Sequence, residues 1–559
     1  MTAATQAALG GPSLWSRIYG FGSIFAKTIR DSRRATIIAS VILAVSFVGI
    51  GRAIVQLFGT SAETRQEVVD LVAAVPPILQ GLAGKVVNVG TLGGYFQYKY
   101  GSFFPFVLSM WSILALSATL AAEASRGSLE FVAATGKSRR RIALEKVSGH
   151  VLMVGVACLI AFGSIAFAGA TYATIPEDAI SVTQAFGYAS WLFVMTVAGG
   201  AVAFALAPFL GRGGAAGIAG FVTFAGFILN GYQVPVPELA PYANLTWWGW
   251  TTNHLPLSGQ FDWPAVLLVG ATAGALLAIG VESFARRDLG ATSVGLSPSM
   301  PRPLLGLSGP LARATSINLP AAFWWGVGIG LFGLTFGSAA GPFMDQLGDS
   351  PEFVKLLETV FPGVDYASAG GFLQLLFVEL GVIFAGLAAA TFVSGWASDE
   401  TSGRLEMVLA TPLERIRWAI AGGIGMLVNI GVFVAISAVG IALGVATTAS
   451  DIATPVTGVL ILAVYAAALV GIGQAVGGVF GSRFAAPAVV IFVLATWFLQ
   501  IVGGIMKFPD FVMQLVLTTH FGQTFVGVWD WVGVAASLVL AVGGIALGAV
   551  AFARRDLRS

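Results

Sequence analysis

Long apolar runs separated by short polar segments dominate the chain. A membrane-spanning helix needs ~20 consecutive apolar residues, and twelve runs meet that need. They are Ala35–Phe58, Phe103–Ala122, Val147–Ala170, Phe186–Phe209, Ala215–Tyr232 and Ala265–Phe284, then Ala321–Ala340, Phe372–Ala397, Ala419–Ala446, Val456–Gly478, Ala485–Met506 and Val532–Phe552. A stretch holding Pro298, Pro301, Pro303 and Pro310 parts them six and six. The pattern predicts an all-α polytopic membrane protein: a polar N-terminal segment over 1–34, six-helix halves over 35–285 and 321–559, and a linker over 286–320. In the N-terminal segment, Ser13 stands where it can cap a helix. Leu14, Ile18, Phe21, Phe25 and Ile29 then recur at spacings of three and four, which predicts an amphipathic helix on the membrane surface. A polar segment this long before a spanning run does not read as a cleavable signal peptide.

Composition sharpens the class. Only 10% of the 559 residues are charged, against ~25% in soluble domains, too few for a water-facing surface. The 72 glycines suit helices packed closely in lipid. A single cysteine, Cys158, excludes an internal disulfide, and only His150, His254 and His520 offer imidazoles, so no metal centre is expected. The Ala, Gly and Val bias reads as a high-GC bacterium. With the N-terminus inside, all lysines and arginines but Arg52, Arg65, Lys85, Lys99, Lys355 and Lys507 fall on inner segments. That bias places both termini in the cytoplasm of a multi-pass protein of the bacterial cytoplasmic membrane.

The two halves repeat one another. Gly93-Gly94-Tyr95-Phe96-Gln97 is echoed by Gly370-Gly371-Phe372-Leu373-Gln374, and Gly127-Ser128-Leu129-Glu130 by Gly403-Arg404-Leu405-Glu406. Arg139 and Arg141 match Arg415 and Arg417; Gly211 matches Gly481; Asp262-Trp263 matches Asp530-Trp531. The words Phe284-Ala285-Arg286-Arg287-Asp288-Leu289 and Phe552-Ala553-Arg554-Arg555-Asp556-Leu557 close each half. The offsets shrink in order from 277 to 268 residues, so the matches keep register. Halves of six helices start on the same side, which predicts a fused pseudo-dimer about an axis along the membrane normal.

The segment after the second helix of each half carries the most informative motif. One copy runs from Glu123 through Gly127, Leu129 and Glu130 to Arg139; the other runs from Glu400 through Gly403, Leu405, Glu406 and Pro412 to Arg415. Glycine permits a sharp turn out of the membrane, and the leucines of a short helix face inward while Glu130 and Glu406 stay on the water side. An acid, then Gly-x-Leu-Glu, then a turn and an arginine resembles the coupling helices of ABC type-2 (type V) exporter permeases. The closest likeness is to the fused twelve-helix membrane subunits of actinobacterial tetronasin, polyketide-antibiotic and multidrug exporters. The resemblance implies that these residues dock two copies of a separate ATP-binding subunit. ATP and Mg would be held on those partners, and no cofactor on this chain. It also implies alternating access, by rocking of the halves, and export of hydrophobic small molecules. Gly136 stands where the second copy has Pro412, so the two docking sites need not be equal.

Other apparent motifs fail on context. Gly136-Lys137-Ser138 lacks the earlier glycine of a phosphate loop, since Phe131 occupies that place. Gly328-x-Gly330-x-x-Gly333 lies in an apolar run and reads as helix packing. Gly306-Leu307-Ser308-Gly309 lies in the linker, with no histidine in the flanking helices. With no nucleotide loop and no basic patch for nucleic acid, energy must come from a partner or an ion gradient.

Glu379 is the ionisable residue set deepest in an apolar run, and it reads equally as a substrate contact or a structural hydrogen-bonding group. Aromatic Phe103, Phe106, Trp111, Phe224, Phe227, Phe377, Phe384, Phe492 and Trp497 lie on helices that border the substrate cavity in the resembled family. His254 and His520 hold nearly matching places and suit a capping role at the mouth of the cavity. The leading expectation is therefore the membrane subunit of an ATP-driven exporter, with no ATPase site of its own. An ion-coupled secondary transporter would want more embedded charges than Glu379, and a membrane enzyme acting on lipid-linked sugars would want an acidic pair or metal cluster.

Overall fold

A computed structural model describes residues 23–58, 62–73, 85–119, 137–234, 236–286, 306–348, 354, 368–448, 451–506 and 509–556. Contacts divide the chain into two compact units, Met1–Pro298 and Ser299–Ser559. Apart from one two-residue hairpin and one isolated bridge, the described residues are helical or irregular. Nine of their helices are long and apolar enough to cross a membrane, or ten if a bent pair counts as one span. The chain is an all-α, multi-pass membrane protein.

In unit 1 the principal helices are α1 (Ile24–Ala44), α2 (Leu92–Tyr100), α3 (Phe103–Thr119), α4 (Arg139–Thr171), α5 (Val182–Tyr232) and α6 (Trp263–Ala285). Ser23 caps α1, which runs straight into the first apolar run, so its described part is no separate surface helix; Ser13 and the rest of that expected helix lie outside the described residues. Glu145 on α4 accepts from the backbone N–H groups of Ile24 and Phe25, using two of the donors left open at the start of α1. The helices α2 and α3 meet at 42°, so Leu92–Tyr100, expected in an outer segment, extends the second span.

The 51 residues of α5 would stretch roughly 75 Å if straight, more than twice the ~30 Å of a bilayer core. Instead the helix breaks at Gly211, whose φ of 70° an L-residue rarely adopts. Ala203 and Ala219 join one buried cluster with Ile113, although a continuous helix would hold them about 24 Å apart. The chain therefore folds back at Gly211, and α5 contains both the fourth and fifth apolar runs.

Unit 2 follows the same plan with α7 (Pro310–Gly348), α8 (Val382–Thr401), α9 (Arg404–Leu409), α10 (Arg415–Val445), α11 (Leu460–Phe480), α12 (Ala485–Met506) and α13 (Trp531–Arg554). A short helix, Ala369–Gln374, and a π turn, Leu375–Leu380, lead into α8. Glycines let α7 and α10 touch backbone to backbone: a Cβ on Gly440 would lie 2.0 Å from the Gly330 carbonyl oxygen, and one on Gly444 2.7 Å from that of Gly333. The Gly330 and Gly333 spacing thus serves helix packing, as expected of small residues in lipid.

Candidate functional site

The second copy of the docking motif is built at the end of unit 2 where α8 stops. Gly403 follows α8 with φ 73° and nothing within 4 Å of its would-be Cβ. Glycine is needed there for backbone angle rather than for space. The turn starts α9, whose Leu405 is buried while Glu406 and Met407 face outward. One and a half turns have no stability alone, so Leu405 anchors the helix against the bundle. Thr411 and Pro412 form an exposed turn, and α10 begins at half-buried Arg415.

Behind α9, Glu400 ties three chain segments together. Both its oxygens accept from Arg555 Nη2 at 2.7 Å, joining the end of α8 to the end of α13. The Ser482 hydroxyl donates to the same carboxylate, which brings in the α11–α12 turn. Arg415 Nη1 donates to the Arg555 carbonyl oxygen at 2.9 Å. One residue earlier, buried Asp399 pairs with Arg313 of α7 at 3.0 Å. Glu400, Ser482 and Arg555 border a cleft of about 640 Å³ that Leu405, Glu406, Phe480 and Arg483 also line. The cleft is acidic on the α9 side and basic on the Arg483 side.

Glu123, Gly127, Leu129 and Glu130 of the first copy lie outside the described residues. Its Arg139 is described: it is half-buried and opens α4, which Ser138 caps. Arg555, Ser482, Asp399 and Arg313 were absent from the sequence-based site. A signal for Arg555 was present, since it sits in the words that close both halves.

The aromatic candidates divide. Phe106 stacks on Phe227 with centroids 4.8 Å apart and meets Phe224 at 6.1 Å, and Trp111 abuts His150. Phe103 points away from the core, at 49% exposure, whereas its neighbour Phe104 points in. Phe332 touches both Phe377 and Phe384, but Phe377 is buried and stacked on Phe525. It belongs to the packed interior rather than to a cavity wall. Phe384 is exposed, and Phe492 and Trp497 on α12 are half-buried. Glu379 sits on the π turn and accepts from Gln500 Nε2 at 2.7 Å. His254 is fully buried, its Nδ1 accepting from the Asp262 N–H at 2.9 Å and its Nε2 facing the Gly187 carbonyl oxygen, so it holds together the loop before α6. Half-buried His520 lies 3.2 Å from the Gln514 carbonyl oxygen. No group of three or more His, Cys, Asp or Glu residues among the described ones could hold a metal ion.

Fold and site thus define a multi-pass helical membrane protein with a short helix projecting beside a charged cleft. Residues 307–553 match the family model described as the multidrug efflux system permease Rv1217c, C-terminal domain. The chain is also similar to the multidrug efflux system permease protein Rv1217c of Mycobacterium tuberculosis (strain ATCC 25618 / H37Rv), at 31% identity over 317 residues. That alignment covers 56% of this chain and 56% of the relative, so the chain spans about half the length of the curated relative it matches.

Proposed function

We propose that this chain is the transmembrane permease subunit of an ATP-driven ABC exporter in a bacterial cytoplasmic membrane, with both termini inside. It would move hydrophobic compounds such as antibiotics and drugs out of the cell. The observation that carries the reading is α9: a short helix launched by Gly403, anchored by Leu405 and presenting Glu406 outward, from a motif that the sequence repeats at Gly127–Glu130. A lone surface helix has no structural reason to be duplicated with its acid, glycine and arginine. The similarity of residues 307–553 to a multidrug efflux permease domain supports the drug-export part of the reading. Two copies of a separate ATP-binding subunit would dock on the segments around Glu130 and Glu406 and carry ATP and Mg. The Glu400–Arg555–Ser482 cluster would hold α9 in place under load. Substrate contacts are assigned to Phe103, Phe106, Trp111, Phe224, Phe227, Glu379, Phe384, Phe492 and Trp497.

The test is co-purification with the ATP-binding protein encoded beside this gene. The wild-type chain should retain two ATPase copies, and the Glu130→Arg, Glu406→Arg double variant should lose them. A chain that purifies alone and transports in liposomes on an ion gradient without ATP would replace this reading with an ion-coupled transporter.

A further inference from the structure

Among the described residues, sheltered carboxylates have evident partners. Glu145 faces Lys137 and Arg141, Asp178 faces Arg65, Glu282 faces Arg286, Asp399 faces Arg313 and Glu400 faces Arg555. Asp262 caps α6. Glu379 is different. Gln500 donates to its Oε2, Thr518 in turn donates to Gln500 Oε1 at 2.9 Å, and Gln374 faces the same carboxyl group. No lysine or arginine pairs with Glu379 among the described residues. A carboxylate within a span is costly, and such groups face a cavity or a charged partner. Its place on a π turn also fits, because such turns collect at functional positions.

Unit 1 contains the same frame without the carboxylate. The Thr252 hydroxyl donates to Asn230 Oδ1 at 2.6 Å, as Thr518 does to Gln500. Asn230 and Gln500 are separated by the same 270 residues as the turn glycines Gly211 and Gly481; Thr252 and Thr518 share the 266-residue offset of His254 and His520. Gln97 matches Gln374, and Ser102 occupies the place of Glu379. Gln97, Ser102, Asn230 and Thr252 line one small cavity of about 30 Å³, room for about one water. In unit 1 the frame therefore borders a small cavity.

We propose that Glu379, buttressed by Gln500 and Thr518, recognises the positively charged group of an amphipathic organic cation, while the Ser102 copy has no carboxylate and is bordered by Lys85. Amide donation fixes one carboxylate oxygen and leaves the negative charge for a ligand to neutralise. The exposed Phe384, five residues on and past the bend at Gly381 at the start of α8, offers the ligand an apolar and cation-attracting face. This deepens the export reading by naming a substrate class, and rests on it in taking the ligand to be a transported compound.

The test uses the full chain in lipid nanodiscs, with tetraphenylphosphonium as the cation and triphenylphosphine oxide as the neutral probe. Glu379→Gln and Glu379→Ser should each weaken cation binding about tenfold, the loss of one charged contact, and leave the neutral probe unchanged. Equal cation binding by wild type and Glu379→Gln overturns the proposal. A measurement needing no variant guards against misfolding: tetraphenylphosphonium should slow carbodiimide labelling of Glu379, and an unchanged labelling rate also overturns it. Neither readout requires an ATPase. A chain that binds the cation through Glu379 but never retains an ATP-binding partner loses the export reading and keeps this one.

Discussion

On α4 of unit 1, Lys146 donates to the Thr119 carbonyl oxygen at 3.2 Å, and His150 Nε2 lies 3.0 Å from the Ser112 hydroxyl. At the matching positions of unit 2, Gly422 lies against Trp396 so closely that a Cβ would sit 2.4 Å from the ring, and buried Met426 replaces the histidine. A long side chain facing a small one in the first unit becomes a glycine facing a tryptophan in the second. At Ser102 and Glu379 the polarity runs the other way, with the charge in unit 2. Contacts made through backbone do not diverge in this manner. A Cβ on Gly93 would lie 2.4 Å from the Leu257 carbonyl oxygen, and one on Gly370 2.3 Å from that of Phe525. Leu257 N–H donates to Gln97 Oε1 and Phe525 N–H to Gln374 Oε1. Gly259 and Gly527 take φ of 81° and 85° in the turns that follow. Close packing tolerates exchanges that conserve volume, whereas an interhelical carbonyl at that distance admits only glycine. The duplicated frame is thus fixed by glycines and caps, and the interiors are where the units specialise.

The sharpest break in the comparison is at the loops that follow α4 and α10. Asp178 is buried and receives two hydrogen bonds from Arg65, at 2.8 and 2.7 Å, and one from the Leu92 N–H at 3.0 Å. Removing one charge of such a pair costs ~3–5 kcal/mol. Asp178→Asn should lower the stability of unit 1 by that much, read as hydrogen exchange confined to unit 1. Asp451, in the corresponding loop of unit 2, is exposed, and Asp451→Asn should leave exchange unchanged.

The next effect tests the shared frame itself. Gly93→Val and Gly370→Val should each destabilise by about 3 kcal/mol, since the blocked contact is backbone and cannot yield. Equal drops in melting temperature would support a common frame; a silent variant in either unit would break it. A smaller loss follows from Glu400→Gln, which leaves Arg555 without its counter-charge in a partly sheltered site, at about 2 kcal/mol. ATPase retention should fall with it, while tetraphenylphosphonium binding stays constant. The least change is expected from Pro412→Gly, which gives the second copy the residue that the first has at Gly136. It should cost about 0.5–1 kcal/mol through greater freedom of the unfolded turn, measurable as slightly weaker ATPase retention.

The sequence by itself determined the membrane class, the helical content and the in-register repeat, because lipid forces spanning segments to be long, apolar and hydrogen-bonded within themselves. It also placed the Gly403 turn, since the φ of that turn leaves few residues to choose from. Glu379 could be singled out as a charge in an apolar run, but its surroundings could not. That Gln500 and Thr518 stand beside it depends on where the chain folds back at Gly481, 19 residues before Gln500 in sequence. The Glu400–Arg555 pair joins residues 155 apart, and hydropathy patterning carries no information about such a distance. Phe377 looked like its aromatic neighbours until packing set it against Phe525. Periodicity reads which face of a helix is apolar; only the tertiary structure decides whether that face meets lipid, a cavity or another helix.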